Sequence, residues 1–192
     1  MAVQQADSVR NAQADAWEAA LGTTPAIRLF AGTPPADETA ALSSNTLLAA
    51  VTADWSPAST GSKTLTATVT DSSANASGLA TFYRIYGTPT NADTGGTSLE
   101  QGLVAMPWAA STVVQVGQQV VNPNTQGGNV YRCTTGGTTA SGGGPTGTAA
   151  SGITDGTAVW GYVGTCDMII DNVSIATGQQ VQIPTFTKTW PG

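Results

Sequence analysis

Apolar residues recur along this chain at two different periods. From Asp7 to Leu21, the residues Val9, Ala12, Ala16, Ala20 and Leu21 repeat at helical spacing. Asp7 or Ser8 is placed to cap the start, and Gly22 stands where a left-handed C-terminal residue is expected. Trp17 lies near the stripe as its anchor. Such a helix either covers its own sheet or reaches a neighbouring subunit. After Pro25 the pattern turns to strands. Ala26–Ala31, Thr46–Val51, Lys63–Thr70, Leu79–Tyr86, Asp167–Asp171 and Gln180–Ile183 are short apolar runs split by Gly, Pro, Asn and Ser turns. In the third, Leu65, Ala67 and Val69 alternate with threonines and are expected to face inward. No helix alternates with these strands, so a parallel α/β fold is not expected. The pattern predicts a mainly β protein: an antiparallel β-sandwich or jelly-roll-like core with an N-terminal α-helix.

One block interrupts this core. From Met106 to Val163 the chain is rich in Gly and Thr, nearly free of charge, and bracketed by Trp108 and Trp160. Ser98–Val104 reads as a strand leaving the core and Gly164–Met168 as its return partner. A hairpin tip between them tolerates insertion, because loop closure grows only slowly in cost with length. The division is therefore 1–105 and 164–192 for the core and 106–163 for the insert. The insert predicts three strands: Ser111–Val121 around Gly117, Asn129–Thr134, and Thr157–Val163. So small a unit has few large side chains. Trp108, Tyr131, Trp160 and Tyr162 either form its core or present a face that stacks on sugar rings.

Composition narrows the function classes. Charged residues make up 9% of 192, far below a typical soluble domain at about 25%. The strands carry few of the charges that guard exposed edges, which implies that partners cover those edges. The six basic residues are scattered and the net charge is −6, which argues against nucleic acid. No apolar run is long enough to cross a membrane as a helix, and the N-terminal residues lack a secretory pattern. Histidine is absent, removing the usual general base and metal ligand. Cys133 and Cys166 are read as free thiols. The acidic pairs Asp37–Glu38 and Asp167–Asp171 could in principle serve glycoside hydrolysis, and Asp167, Asp171 and Asn172 a calcium ion. Turn and capping roles explain them better. No catalytic residue, metal site or cofactor is assigned.

Two resemblances enter on particular motifs. Trp108, Thr112–Val120, Gly128–Cys133 and Asp155–Tyr162 resemble the small chitin- or cellulose-binding modules, especially copies within phage structural proteins. Val114 stands where that pattern has an aromatic, and Gln118 where it has Asp. The flanks resemble a family of small tailed-phage virion proteins, through Ala26-Ile27-Arg28-Leu29-Phe30-Ala31-Gly32-Thr33-Pro34-Pro35-Ala36, Phe82-Tyr83-Arg84-Ile85-Tyr86 and Asp171–Val181. The resemblance implies a non-enzymatic particle component, assembled in the host cytoplasm into the virion. It would bind the capsid lattice and other copies of itself, plausibly as a trimer, with Trp17, Arg28 and Arg84 as candidate assembly contacts. The alternative is a tail adhesin whose module reads host-surface glycans through Trp108, Tyr131, Trp160 and Tyr162.

Overall fold

The computed structural model describes residues 4–87 and 98–191; residues 1–3 of the N-terminal stretch lie outside them. The molecule is mainly β and sandwich-like, with one helix at its N-terminus. Its centre is an antiparallel trio: β1 (Ala26–Ala31) lies between β2 (Thr46–Thr52) and β5 (Gly78–Tyr86). Ile27 pairs with Ile85 and Leu29 with Tyr83. These strands are enriched in β-branched and aromatic residues, which suit a pleated surface. Their apolar character is nearly continuous because both faces are covered. One face supplies the main core with Ile27, Leu29, Leu48, Tyr83 and Ile85. The other holds Phe30 stacked on Phe82 at 5.2 Å, with Leu42 and Leu47 packed against them.

The opposing layer is built from short pairs. β3 (Ser62–Thr64) pairs with β16 (Thr187–Thr189) and β4 (Val69–Asp71) with β15 (Val181–Ile183), whereas β14 (Ser174–Ile175) joins the large sheet through β5. The single strand expected over Lys63–Thr70 is therefore two. The chain changes partner between them, just where Pro184, Thr185 and Phe186 separate β15 from β16. Leu65 points inward as expected, Val69 is half-buried, and Ala67 is exposed.

Helix α1 (Asp7–Leu21) spans the expected residues, but it packs through Ala14, Trp17 and Leu21 while Val9, Ala12, Ala16 and Ala20 of the expected stripe are exposed, and it starts without the expected cap. Ala6 takes the N-cap position and no side chain bonds the first amides. Gly22, at φ 79°, ends it, and its amide donates to the Glu18 carbonyl at 3.1 Å. The helix lies on its own chain. Gly61 leaves room for Arg10, where an added Cβ would meet the Arg10 Cβ at 2.8 Å. The buried Lys63 ammonium on β3 reaches Asp15 at 2.9 Å and Glu18 at 2.6 Å.

β6 (Ser98–Pro107) decides how core and insert relate. Its first half pairs antiparallel with β5, from Ser98 to Leu103. Its last residues, Met106 and Pro107, pair in parallel with Val120 and Val121 of β8 (Gln119–Asn122). From there the same sheet continues through β9 (Asn129–Thr135) and β12 (Ala158–Thr165) to β11 (Ile153–Asp155). A small side pair joins β7 (Val113–Val114) to β10 (Gly137–Thr138). The insert thus has more strands than the three expected. Its Gly- and Thr-rich stretches pair as very short segments that carry no clear period. The return segment β13 (Met168–Ile169) runs parallel to β6 at Val104 and Ala105, so the two flanks are not arms of an antiparallel hairpin.

The outer edge of the sheet is guarded from within. The Ala50 amide donates to the Asp71 carboxylate at 3.0 Å, and the Leu48 carbonyl accepts from the Asn75 amide at 2.7 Å. A covering loop therefore protects β2 where the low charge had implied a partner.

Candidate functional site

The four aromatics singled out in the insert do come together, but as a core. Trp160 is fully buried and Tyr131 is buried, in one cluster with Val114, Val120, Cys133 and Ala158. Spacing two placed Trp160 and Tyr162 on one side of β12. Both do pack on this cluster, but Tyr162 only partly, with its ring edge-on to Tyr131 at 6.2 Å. The Tyr131 hydroxyl donates to the Gly147 carbonyl at 2.9 Å. Trp108 is half-buried. Its indole Nε1 donates to Asp155 at 2.7 Å, and the second oxygen of that buried carboxylate accepts the Ala140 amide at 3.0 Å. Trp160 and Tyr131 are thereby excluded as sugar-stacking faces, because a 58-residue unit with so few apolar side chains must bury its largest rings. Trp108 and Tyr162 keep some exposed surface.

Of the three candidate assembly residues, Arg28 and Arg84 are buried and Trp17 is half-buried. Trp17 packs edge-on against Trp55 at 5.0 Å and Trp190 at 5.5 Å. Arg28 is buried, with its guanidinium 4.5 Å from the centre of the Tyr86 ring. Arg84 is buried on the same sheet face, directly opposite Arg28. It donates to the Gln101 side chain at 2.9 Å and to the carbonyls of Asp37 and Ala40 at 2.9 and 2.8 Å. Arg84 thereby holds the loop after β1 onto the sheet. A guanidinium suits that work, since its fork of donors can satisfy several carbonyls at once. Asp37 lies within the same loop. Its carboxyl is held below the usual range, chiefly by the Thr39 hydroxyl and then by the Ala40 and Thr39 amides. That is a turn-capping role and not catalysis.

The other predicted acidic pair divides between two places. Asp171 is exposed and accepts the Asn172 amide at 2.9 Å. Asp167 instead lines a cleft of about 410 Å³ where core and insert meet, with Tyr83, Glu100, Gln126, Phe186 and Lys188. The Tyr83 hydroxyl donates to Glu100 at 2.8 Å, Lys188 pairs with the other Glu100 oxygen at 2.9 Å, and Asp167 accepts the Leu103 amide at 2.9 Å. Burial pushes the Asp167 carboxyl up, against the Leu103 amide and Lys188, which pull it down. Glu100 was legible only as a lone acid inside an apolar strand. Its partners, Tyr83 on the neighbouring strand and Lys188 near the far end of the chain, are beyond the reach of any local pattern. No group of acidic or cysteine side chains among the described residues could hold a metal ion. Cys133 and Cys166 are free and buried, each donating to a nearby carbonyl.

Three further contacts fix the insert on the core. The buried Gln119 amide donates to the Thr81 and Val104 carbonyls at 3.0 and 2.7 Å. Gln126 pairs with both the amide and the carbonyl of Thr187. Ala105 and Cys166 of the core form one apolar cluster with Val121 and Val130 of the insert. Together these contacts tie the insert to the core. No protein-family model, curated protein or solved structure matches the chain.

Proposed function

We propose that the protein is a non-enzymatic structural component of a bacteriophage virion, a capsid decoration or cement protein. It binds the capsid lattice, associates with other copies of itself, and carries the insert as a rigid projection. The observation that carries this reading is β6, which passes from the core sheet into the insert sheet without a break. A continuous strand transmits position from a particle-bound core to the outer module, as a cement or spacer requires. Packing of Tyr131 and Trp160 inside the insert supports the same reading. The residual exposure of Trp108 and Tyr162 favours the second reading, a tail adhesin that recognises host-surface glycans. Mixing the purified protein with capsid shells that lack it separates the two. Decoration predicts saturable co-sedimentation and density repeated over the lattice in electron micrographs. Label confined to the tail, or glycan binding without shell binding, would sink it.

A further inference from the structure

Only six cations serve this chain, and five of them have work inside it. Arg10 pairs with Asp7, Lys63 with Asp15 and Glu18, and Lys188 with Glu100. Arg28 lies over Tyr86, and Arg84 binds loop carbonyls. Arg132 alone is exposed without a partner among the described residues. It borders a groove of about 360 Å³ between insert and core, lined also by Ala31, Leu79, Thr81 and Gly117. Next to Gly117 stands Val116, which is 62% exposed, and nearby in the chain Val113, at 74%. A free cation beside exposed apolar side chains is the composition of a contact surface.

The complementary surface lies elsewhere on the same chain. A cleft of about 580 Å³, between the C-terminal half of α1 and the end of β2, is lined by Asp15, Glu18, Asp54 and Trp55. Lys63 answers Asp15 and Glu18, whereas the Asp54 carboxylate accepts from the Thr66 hydroxyl and makes no ion pair among the described residues. We infer that the Arg132 groove of one copy docks on the Asp54 cleft of the next, joining copies of this chain head to tail. The inference rests on the reading of the protein as a self-associating particle component. The Arg132 groove contains no acidic side chain, so two copies facing through it would oppose cation to cation. A contact between two different surfaces forms rings when its rotation closes, not two-fold dimers. One exposed ion pair contributes little by itself, so the valines supply affinity while the charges set register.

Sedimentation velocity over a concentration series tests this. The wild type is expected as a closed oligomer larger than a dimer. Arg132→Glu, Asp54→Arg and Val116→Asp should each weaken association by about tenfold or more, since like charges or a buried charge then meet in the contact. All three positions are exposed, and circular dichroism checks that each variant folds. The double variant R132E/D54R should recover the oligomer, which a general surface effect would not do. A wild type that stays monomeric overturns the contact, as does an oligomer indifferent to all three substitutions or a double variant no better than the singles. Shell co-sedimentation is scored separately. A monomer that still decorates shells defeats this contact and not the structural reading, whereas an intact oligomer that ignores shells keeps the contact and defeats decoration.

Discussion

Trp160 is among the largest fully buried side chains, and its indole Nε1 has no hydrogen-bond partner. Replacing it with Ala leaves a void that the small neighbours Ala158 and Cys133 cannot fill. A loss of about 3–5 kcal/mol is expected in urea unfolding. Tyr162→Ala, at a half-buried ring, should cost about 1 kcal/mol. Equal and small losses at both positions would contradict the burial assigned to Trp160. Asp155 is small but holds two donors, so Asp155→Ala should cost about 1–3 kcal/mol by orphaning Trp108 Nε1 and the Ala140 amide. The Trp and Asp positions of the insert were legible from its motif. Whether a ring faces in or out was not, because spacing along β12 puts residues on a shared side without saying which side is wet.

At the scale of elements, β6 and its neighbours make the insert a continuation of the core and not an appendage. The sequence places the boundaries of the block at a composition change, and the remaining 134 residues look like a sufficient domain. Excision of residues 108–163 should nevertheless fail to give a stable fold. It uncovers Ala105 and Ile169, removes the parallel partner of Met106, and leaves Cys166 without Val121 and Val130. Gel filtration and thermal melting of the excised chain check this; a monomer that melts like the parent would refute it. Gln119→Ala should cost about 1–3 kcal/mol by leaving two buried carbonyls unmet. Long-range ties of this kind are invisible to periodicity, since Gln119 reads as one more polar residue between valines. The split of Lys63–Thr70 was hidden for a similar reason: its two halves serve different partners far along the chain.

For the whole molecule, the buried titratable groups predict alkaline lability. Burial pushes the Cys166 thiol up to about 12, with Asp167 adding to it, and raises Cys133. Burial, then Glu100, holds Tyr83 well above the ordinary phenol. For Lys63 burial acts downward, but the carboxylates of Glu18 and Asp15 outweigh it and keep the ammonium above its usual value. In every case the folded protein holds its proton where the unfolded chain releases it. Stability is therefore full below the unfolded value and lost as pH rises, beginning near the thiol value of 9.0. Urea midpoints should be level from neutral pH up to that value and fall beyond it, and Cys166→Ala should make the fall shallower. Midpoints that stay level well past it would contradict the burial of these groups. Both thiols should also resist a labelling reagent until the chain unfolds.

The sequence by itself determined the β class, the single helix and its end at Gly22, and most strand positions. Those properties follow from local spacing, turn residues and composition. Tertiary structure alone decided which aromatics are core, that Arg84 clamps a loop, that one strand joins core to insert, and that Arg132 has no partner among the described residues. Each of these depends on which distant residue fills the space or answers the charge, and no local pattern encodes that.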